Sequence, residues 1–168
     1  MILLFYRERG YEMCPKESDF YTAAGYRSKS HHLLTESMED YLEMIFRLSL
    51  SEGFARVNEL AARLNVTPSS SSKMAAVLRE NGLVEFEKYG VIRLTDGGKQ
   101  RGEWLLHRHQ VLVQFFGALG DQEHALDLAE QVEHFLPEET VRQLNALTTF
   151  MEQNGWAPES SADSSSAE

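Results

Sequence analysis

Six side chains in three groups have the chemistry to hold a metal ion: Asp40 and Glu43; His109; and Glu130, Glu133 and His134. The first pair is three residues apart and the last trio is spaced i, i+3, i+4, so on helices each group faces one way. Every donor is a carboxylate oxygen or an imidazole nitrogen, and none is a thiolate. That set suits a hard divalent ion such as Mn(II) over a softer one. Each group also has a plainer reading. Asp40 and Glu43 fit solvated acids in the first turns of a helix, where they favour its dipole. His109 lies among Leu105, Leu106, Leu112, Val113 and Phe116, and fits a hydrogen-bonded core histidine. The trio borders an apolar stripe of Ala125, Leu128, Ala129 and Val132, where ionisable groups are costly to bury without a counter-charge. The other histidines are weaker candidates: His31 and His32 in an irregular stretch, His107 on another helix face, His124 in a first turn.

Helices must position these groups. Thr35 or Ser37 can cap a helix with apolar positions Met38, Tyr41, Leu42, Ile45, Phe46 and Leu48, interrupted at Gly53. After Gly97-Gly98 a long helix carries Trp104, Leu105, Leu112, Val113, Phe115 and Phe116, and Gly117 and Gly120 break it. Asp121 can cap a helix running to Leu136, where Pro137 interrupts. A last helix follows to Asn154-Gly155.

Between the first two ligand groups lies a different pattern. Val57, Leu60, Ala61 and Leu64 mark a short amphipathic helix, Asn65-Val66-Thr67 a turn, and Thr67-Pro68 the start of a second helix ending at Asn81-Gly82. The period then changes to alternation over 83–87 and 91–95 around Lys88-Tyr89-Gly90. Helix, turn, helix and hairpin make a winged helix-turn-helix, whose second helix enters the DNA major groove. Its leading residues Ser69, Ser70, Ser71, Ser72 and Lys73 are the expected groove contacts. Arg56, Lys88, Tyr89 and Arg93 are expected at the phosphate backbone with Lys73.

A net charge of −10 looks wrong for a DNA binder, but it is unevenly spread. Residues 1–50 carry 6 basic and 8 acidic side chains, 51–101 carry 8 and 6, and 102–168 carry 2 and 12. Only the middle segment, the winged helix, has basic residues in excess. The acids are concentrated where a cation would neutralise some of them. The single cysteine, Cys14, excludes an intrachain disulfide framework and fits a cytoplasmic protein. The apolar opening of six residues is too short for a signal-peptide core or a membrane span. No nucleophile motif or phosphate loop points to an enzyme; a metal-dependent hydrolase would leave the winged helix unexplained. Residues 1–34 read as a poorly ordered extension and 156–168, Ser-rich and acidic, as a disordered tail.

The stretches SMEDYLEMIF, GFARVNELAARLNVTPSSSSKMAAVLRENGLVEFEKYGVIRLTDGGK, HRHQVLVQFF and AEQVEHFL, in that order, strongly resemble the manganese-responsive regulators of the diphtheria-toxin-repressor family. The resemblance runs from about Ser37 to Asn154. It implies a mainly α fold: a winged helix with a two-stranded wing over 35–99, then a helical metal-binding and dimerisation domain over 100–155. It also implies a homodimer binding double-stranded operator DNA, two Mn(II) per subunit held by Asp40, Glu43, His109, Glu130, Glu133 and His134, and no organic ligand or membrane. The iron-responsive branch has methionine where Asp40 stands and cysteine where Glu130 stands. A regulator of the same family responding to iron or another ion, or a winged helix with an organic effector, are the alternatives. The dimer seam is expected from Leu112, Phe115, Phe116 and the last helices. Ligation would relieve repulsion between carboxylates of separate helices and fix two recognition helices at the spacing of successive major grooves. A switch from mostly off to mostly on takes roughly 3–5 kcal/mol.

Overall fold

The computed structural model describes residues 34–156. The expectations for residues 1–33, with His31, His32 and Cys14, and for the tail beyond Trp156 lie outside them.

Helix α1, Glu36–Glu52, begins where Thr35 accepts a hydrogen bond from the Met38 amide (3.3 Å) and ends at Gly53. Glu36 and Glu39 lie in its first turn, favourable to the helix dipole. Its stripe of Met38, Tyr41, Leu42 and Ile45 is buried. Strand β1, Ala55–Arg56, leads into α2, Val57–Arg63. The tight turn places Asn65 at φ 54°, a conformation asparagine tolerates better than most residues. Helix α3, Pro68–Glu80, has the expected start: the Thr67 hydroxyl accepts from the Ser70 amide (3.2 Å) and proline occupies the first turn.

Strands β2, Val84–Phe86, and β3, Val91–Leu94, pair antiparallel with Glu85 opposite Arg93. A short 3₁₀ turn, Lys88–Gly90, joins them. The wing is this two-stranded hairpin, as expected, and one strand outside it extends the sheet. β1 pairs with the other edge of β3, Ala55 opposite Ile92, giving the order β1-β3-β2. Two residues are too short a run to register as alternation, so this strand is visible only through its partner. Leu42, Ile45, Leu60, Leu78, Ile92 and Leu105 meet in one core beneath the sheet and are fully buried. Each such side chain contributes about 1.5–3 kcal/mol by leaving water.

Leu105 belongs to α4, Asp96–Ala118, which spans about 35 Å at 1.5 Å per residue. The helix starts earlier than Gly97-Gly98 suggests, because Thr95 caps it. The Thr95 hydroxyl accepts from the Gly98 amide (3.0 Å) and donates to the Gly82 carbonyl (2.8 Å), tying α4 to the end of α3. The glycines serve packing instead. A Cβ on Gly98 would stand 1.8 Å from the Leu83 carbonyl oxygen, and one on Gly102 would stand 2.7 Å from Phe46 Cβ of α1. Gly102 thus lets α1 and α4 approach closely, and Gly117 sits within the helix rather than breaking it.

Helix α5, Ala125–Val132, starts after a turn in which Asp121 accepts from the His124 amide (3.2 Å). Asp121 therefore caps that turn and not the helix. A 3₁₀ turn, Glu133–Phe135, precedes α6, Glu138–Gln153. Both α5 and α6 pack on α4. Leu112, expected at a dimer seam, is fully buried in the chain's own packing; Leu147 and Phe150 of α6 are the exposed apolar side chains. No helix among the described residues is long and apolar enough to cross a membrane.

Candidate metal centre

Asp40 and Glu43 project from α1, His109 from α4, and Glu133 and His134 from the 3₁₀ turn after α5. Five of the six candidates converge in two triads that share Glu133: Asp40, Glu133 and His134, and Glu43, His109 and Glu133. In each triad one donor atom per residue lies within 4.8 Å of the others. A single divalent ion with bonds of roughly 2.0–2.4 Å can bridge such a span. Glu130 stands at the rim. Its Oε1 is 3.6 Å from His109 Nδ1 but its side chain is 58% exposed. It lines a cleft of about 320 Å³ with Asp40, Glu43, Arg47, His109 and Glu133.

One expectation fails here. The Glu130–His134 trio does not lie on a single α-helical face, because α5 ends at Val132 (φ −115°) and the chain tightens into the 3₁₀ turn. The tighter turn swings Glu133 inward, to 2% exposure, and leaves Glu130 on the outside. The i, i+3, i+4 spacing looks the same in sequence either way.

Buried acids need counter-charges. Glu133 Oε2 lies 3.2 Å from His109 Nδ1, and its Oε1 lies 3.6 Å from His134 Nε2. His134 sits between two carboxylates, with Nε2 3.0 Å from Asp40 Oδ1 and Nδ1 3.0 Å from Glu39 Oε2. Its bonds to Asp40 and then Glu39 raise its pKa to about 10. His109 is likewise raised, chiefly by its bond to Glu133. The His134 imidazole is therefore held protonated and supplies positive charge among the acids, and the shift on His109 favours its charged form in the same direction. Partial burial, then the charge of Glu133, pushes the Glu130 carboxyl upward. The donor set of oxygens and imidazole nitrogens fits a hard divalent cation once the histidines give up protons.

The sequence reading missed Glu39, which is 3% exposed and anchors the site from behind. It pairs with Arg101 and, at 2.9 Å, with the buried Arg108, both of α4. Burial alone would raise its pKa, but the bond from His134, the Arg108 charge and the two arginine bonds hold it at about 2. By binding Nδ1, Glu39 keeps Nε2 as the nitrogen facing Asp40 and Glu133. A signal existed: Arg101, Leu105, Arg108 and Leu112 recur at helical spacing, so two arginines stand in a stripe of leucines.

Around the winged helix, Ser69, Ser70 and Lys73 are exposed on α3 and Ser72 is half-buried. Ser71 is not a groove contact. It is fully buried, on the same face as Ala75 and Leu78, and helical spacing from those two core residues already requires that. Tyr89 at the wing tip is 97% exposed, while the Lys88 side chain lies outside the described part. Arg56 and Arg93 both stand by the Phe54 ring, at 4.9 and 5.3 Å, and Arg93 also pairs with Glu87.

Residues 33–92 match the iron dependent repressor N-terminal DNA binding domain, and residues 95–159 match the metal binding and dimerisation domain of the same repressors. The chain is 38% identical over 121 residues to the HTH-type transcriptional regulator MntR of Lysinibacillus sphaericus (strain C3-41), covering 71% of this chain and 87% of that one. It is 38% identical over 123 residues to the regulator of the same name from Bacillus pumilus (strain SAFR-032), covering 73% and 85%. Among solved structures, a manganese-dependent transcriptional repressor in complex with manganese superposes with a TM-score of 0.60 at 29% identity. That match covers 67% of this chain and 53% of the other. The chain belongs to the iron-dependent repressor family, the family of the diphtheria-toxin repressor, in the branch that contains the MntR regulators.

Proposed function

We propose that this chain is a Mn(II)-dependent transcriptional repressor that binds operator DNA as a homodimer in the cytoplasm, and that its targets include manganese uptake genes. The observation that carries the reading is the pair of triads sharing Glu133, with donors drawn from α1 on one side and from α4 and the 3₁₀ turn on the other. The junction of the two matched domains, between residues 92 and 95, then separates a DNA-binding half, which owns Asp40 and Glu43, from a half that owns the remaining ligands. Each triad holds one ion, two per subunit, and Glu130 closes the second site from the rim.

When bound, the divalent cations supply positive charge that replaces the histidine protons and neutralises the acids. The rest is work of the chain itself. Asp40 and Glu43 anchor α1, and through Leu42 and Ile45 the whole winged helix, to Glu133 and His134. Glu39 with Arg101 and Arg108 keeps α1 and α4 in register. Leu147 and Phe150, exposed on α6, are the dimer face. Two α3 helices then present Ser69, Ser70, Ser72 and Lys73 to successive major grooves. For the cation to switch the protein, it must bind this arrangement better than any other. The absence of sulfur among the six ligands favours manganese over iron.

The test is DNA binding by the full chain to duplexes selected from a random pool, with Mn(II), Fe(II), Zn(II) or Ca(II), for wild type and Glu133→Gln. Binding that needs Mn(II) and is lost in the variant is expected. Metal-independent binding in both would sink the proposal.

A further inference from the structure

Arg47 brings a permanent positive charge to the cleft beside the second triad. Arg47 lies one turn beyond Glu43 in α1 and lines the same cleft as Glu43, His109, Glu130 and Glu133. Its Nε and one terminal nitrogen donate to Glu43 Oε1 at 2.9 and 2.6 Å. Both bonds fall on one oxygen, so Arg47 leaves Oε2 of the carboxylate unused. Glu43 is 7% exposed, and its charge needs a partner when no metal is there. No arginine pairs with the other α1 ligand, Asp40, among the described residues; Asp40 faces His134 instead.

We propose that Arg47 is a tethered counter-cation for the Glu43–His109–Glu133 triad, and that it attenuates divalent-cation binding there relative to the Asp40–Glu133–His134 triad. This rests on the metal-sensing reading above. A guanidinium keeps its charge at any pH at which the protein is folded. It therefore stabilises Glu43 in the metal-free protein and repels a dication arriving at the same carboxylate. The two triads, identical in donor chemistry, become a tighter and a weaker site, and Arg47 sets the concentration at which the weaker one fills. Were Arg47 to orient Glu43 as a ligand instead, its removal would weaken the site, an effect of opposite sign.

The experiment is Mn(II) titration of the full chain, following free ion by electron paramagnetic resonance and heat by calorimetry, with melting temperatures recorded with and without metal. Arg47→Gln is expected to tighten the weaker step about tenfold, some 1.4 kcal/mol, while lowering the melting temperature of the metal-free protein only. Arg47→Lys keeps the charge but not the two-bond geometry, so it is expected to bind Mn(II) like wild type. In a Glu43→Gln background, Arg47→Gln is expected to change little, because the pair is already broken. If Arg47→Gln leaves both steps unchanged, or weakens one, the attenuator role is wrong while metal sensing stands. If neither wild type nor Arg47→Gln takes up Mn(II), both readings fall; uptake by Arg47→Gln alone would support attenuation in its strongest form.

Discussion

Glu133 is where the two triads meet, and its replacement by glutamine separates the structure's account of the site from the sequence's. Read along the chain, Glu130 and Glu133 are equal candidates. In the fold Glu133 is 2% exposed and belongs to both triads, whereas Glu130 is 58% exposed at the rim. Two unit charges about 4 Å apart at an effective dielectric of about 20 interact by about 4 kcal/mol, and a dication doubles that. Glutamine also relieves repulsion among the acids in the metal-free protein, which returns roughly half. Glu133→Gln should therefore weaken each ion by about 3–4 kcal/mol, two to three decades in Kd. Glu130→Gln, screened by solvent, should cost about 1 kcal/mol or less. Calorimetry at neutral pH reads both, and NMR should show the His109 pKa moving down in Glu133→Gln as its main bonding partner loses charge. Equal losses for the two variants, or a loss under tenfold for Glu133→Gln, would refute the shared-ligand geometry.

Metal uptake should release protons and tighten as pH rises, because the His134 proton is held up to about 10 by Asp40 and Glu39 and must leave for Nε2 to ligate. In the metal-free protein the sign reverses: the His134 contribution to stability is full below about 6.5 and fades as pH climbs through about 10. The Glu39 contribution is full above about 4.5 and is lost as pH falls through about 2, and urea denaturation across pH reads both. Glu39→Ala strands the buried Arg108 and should destabilise the fold by about 3–5 kcal/mol in chemical denaturation. Gly102→Ala drives a Cβ against Phe46 and should cost about 1–3 kcal/mol while weakening Mn(II) binding through the α1–α4 spacing; unchanged binding would show that this spacing does not govern the site. Ser71→Ala should leave DNA affinity unchanged, since its buried hydroxyl faces the core, whereas Lys73→Ala should reduce the salt dependence of DNA binding by about one counter-ion.

Much of the fold was legible because it rests on local rules. Thr67-Pro68 starts a helix by capping and fixed φ, and the alternation of 83–87 marks a strand, wherever they stand in a protein. Buried stripes such as Met38, Tyr41, Leu42 and Ile45 follow from a 3.6-residue period. β1 was missed because its only signature is a partner 37 residues away in sequence, Ile92 opposite Ala55. Ser71 was misplaced because four consecutive serines look alike until the helix phase set by Ala75 and Leu78 is applied.

The amino-acid sequence by itself determined which donors exist, that all of them are hard, and that they flank a winged helix. Those properties are carried by residue type and spacing along single helices. Only the tertiary structure decided the ranking among them. The 3₁₀ turn at Glu133 put that residue inside and Glu130 at the rim, and the close approach of α1 to α4 brought Glu39 to Arg108 across 69 positions. A carboxylate's cost depends on what surrounds it when buried, and those neighbours are assigned by packing between helices, which no local pattern encodes.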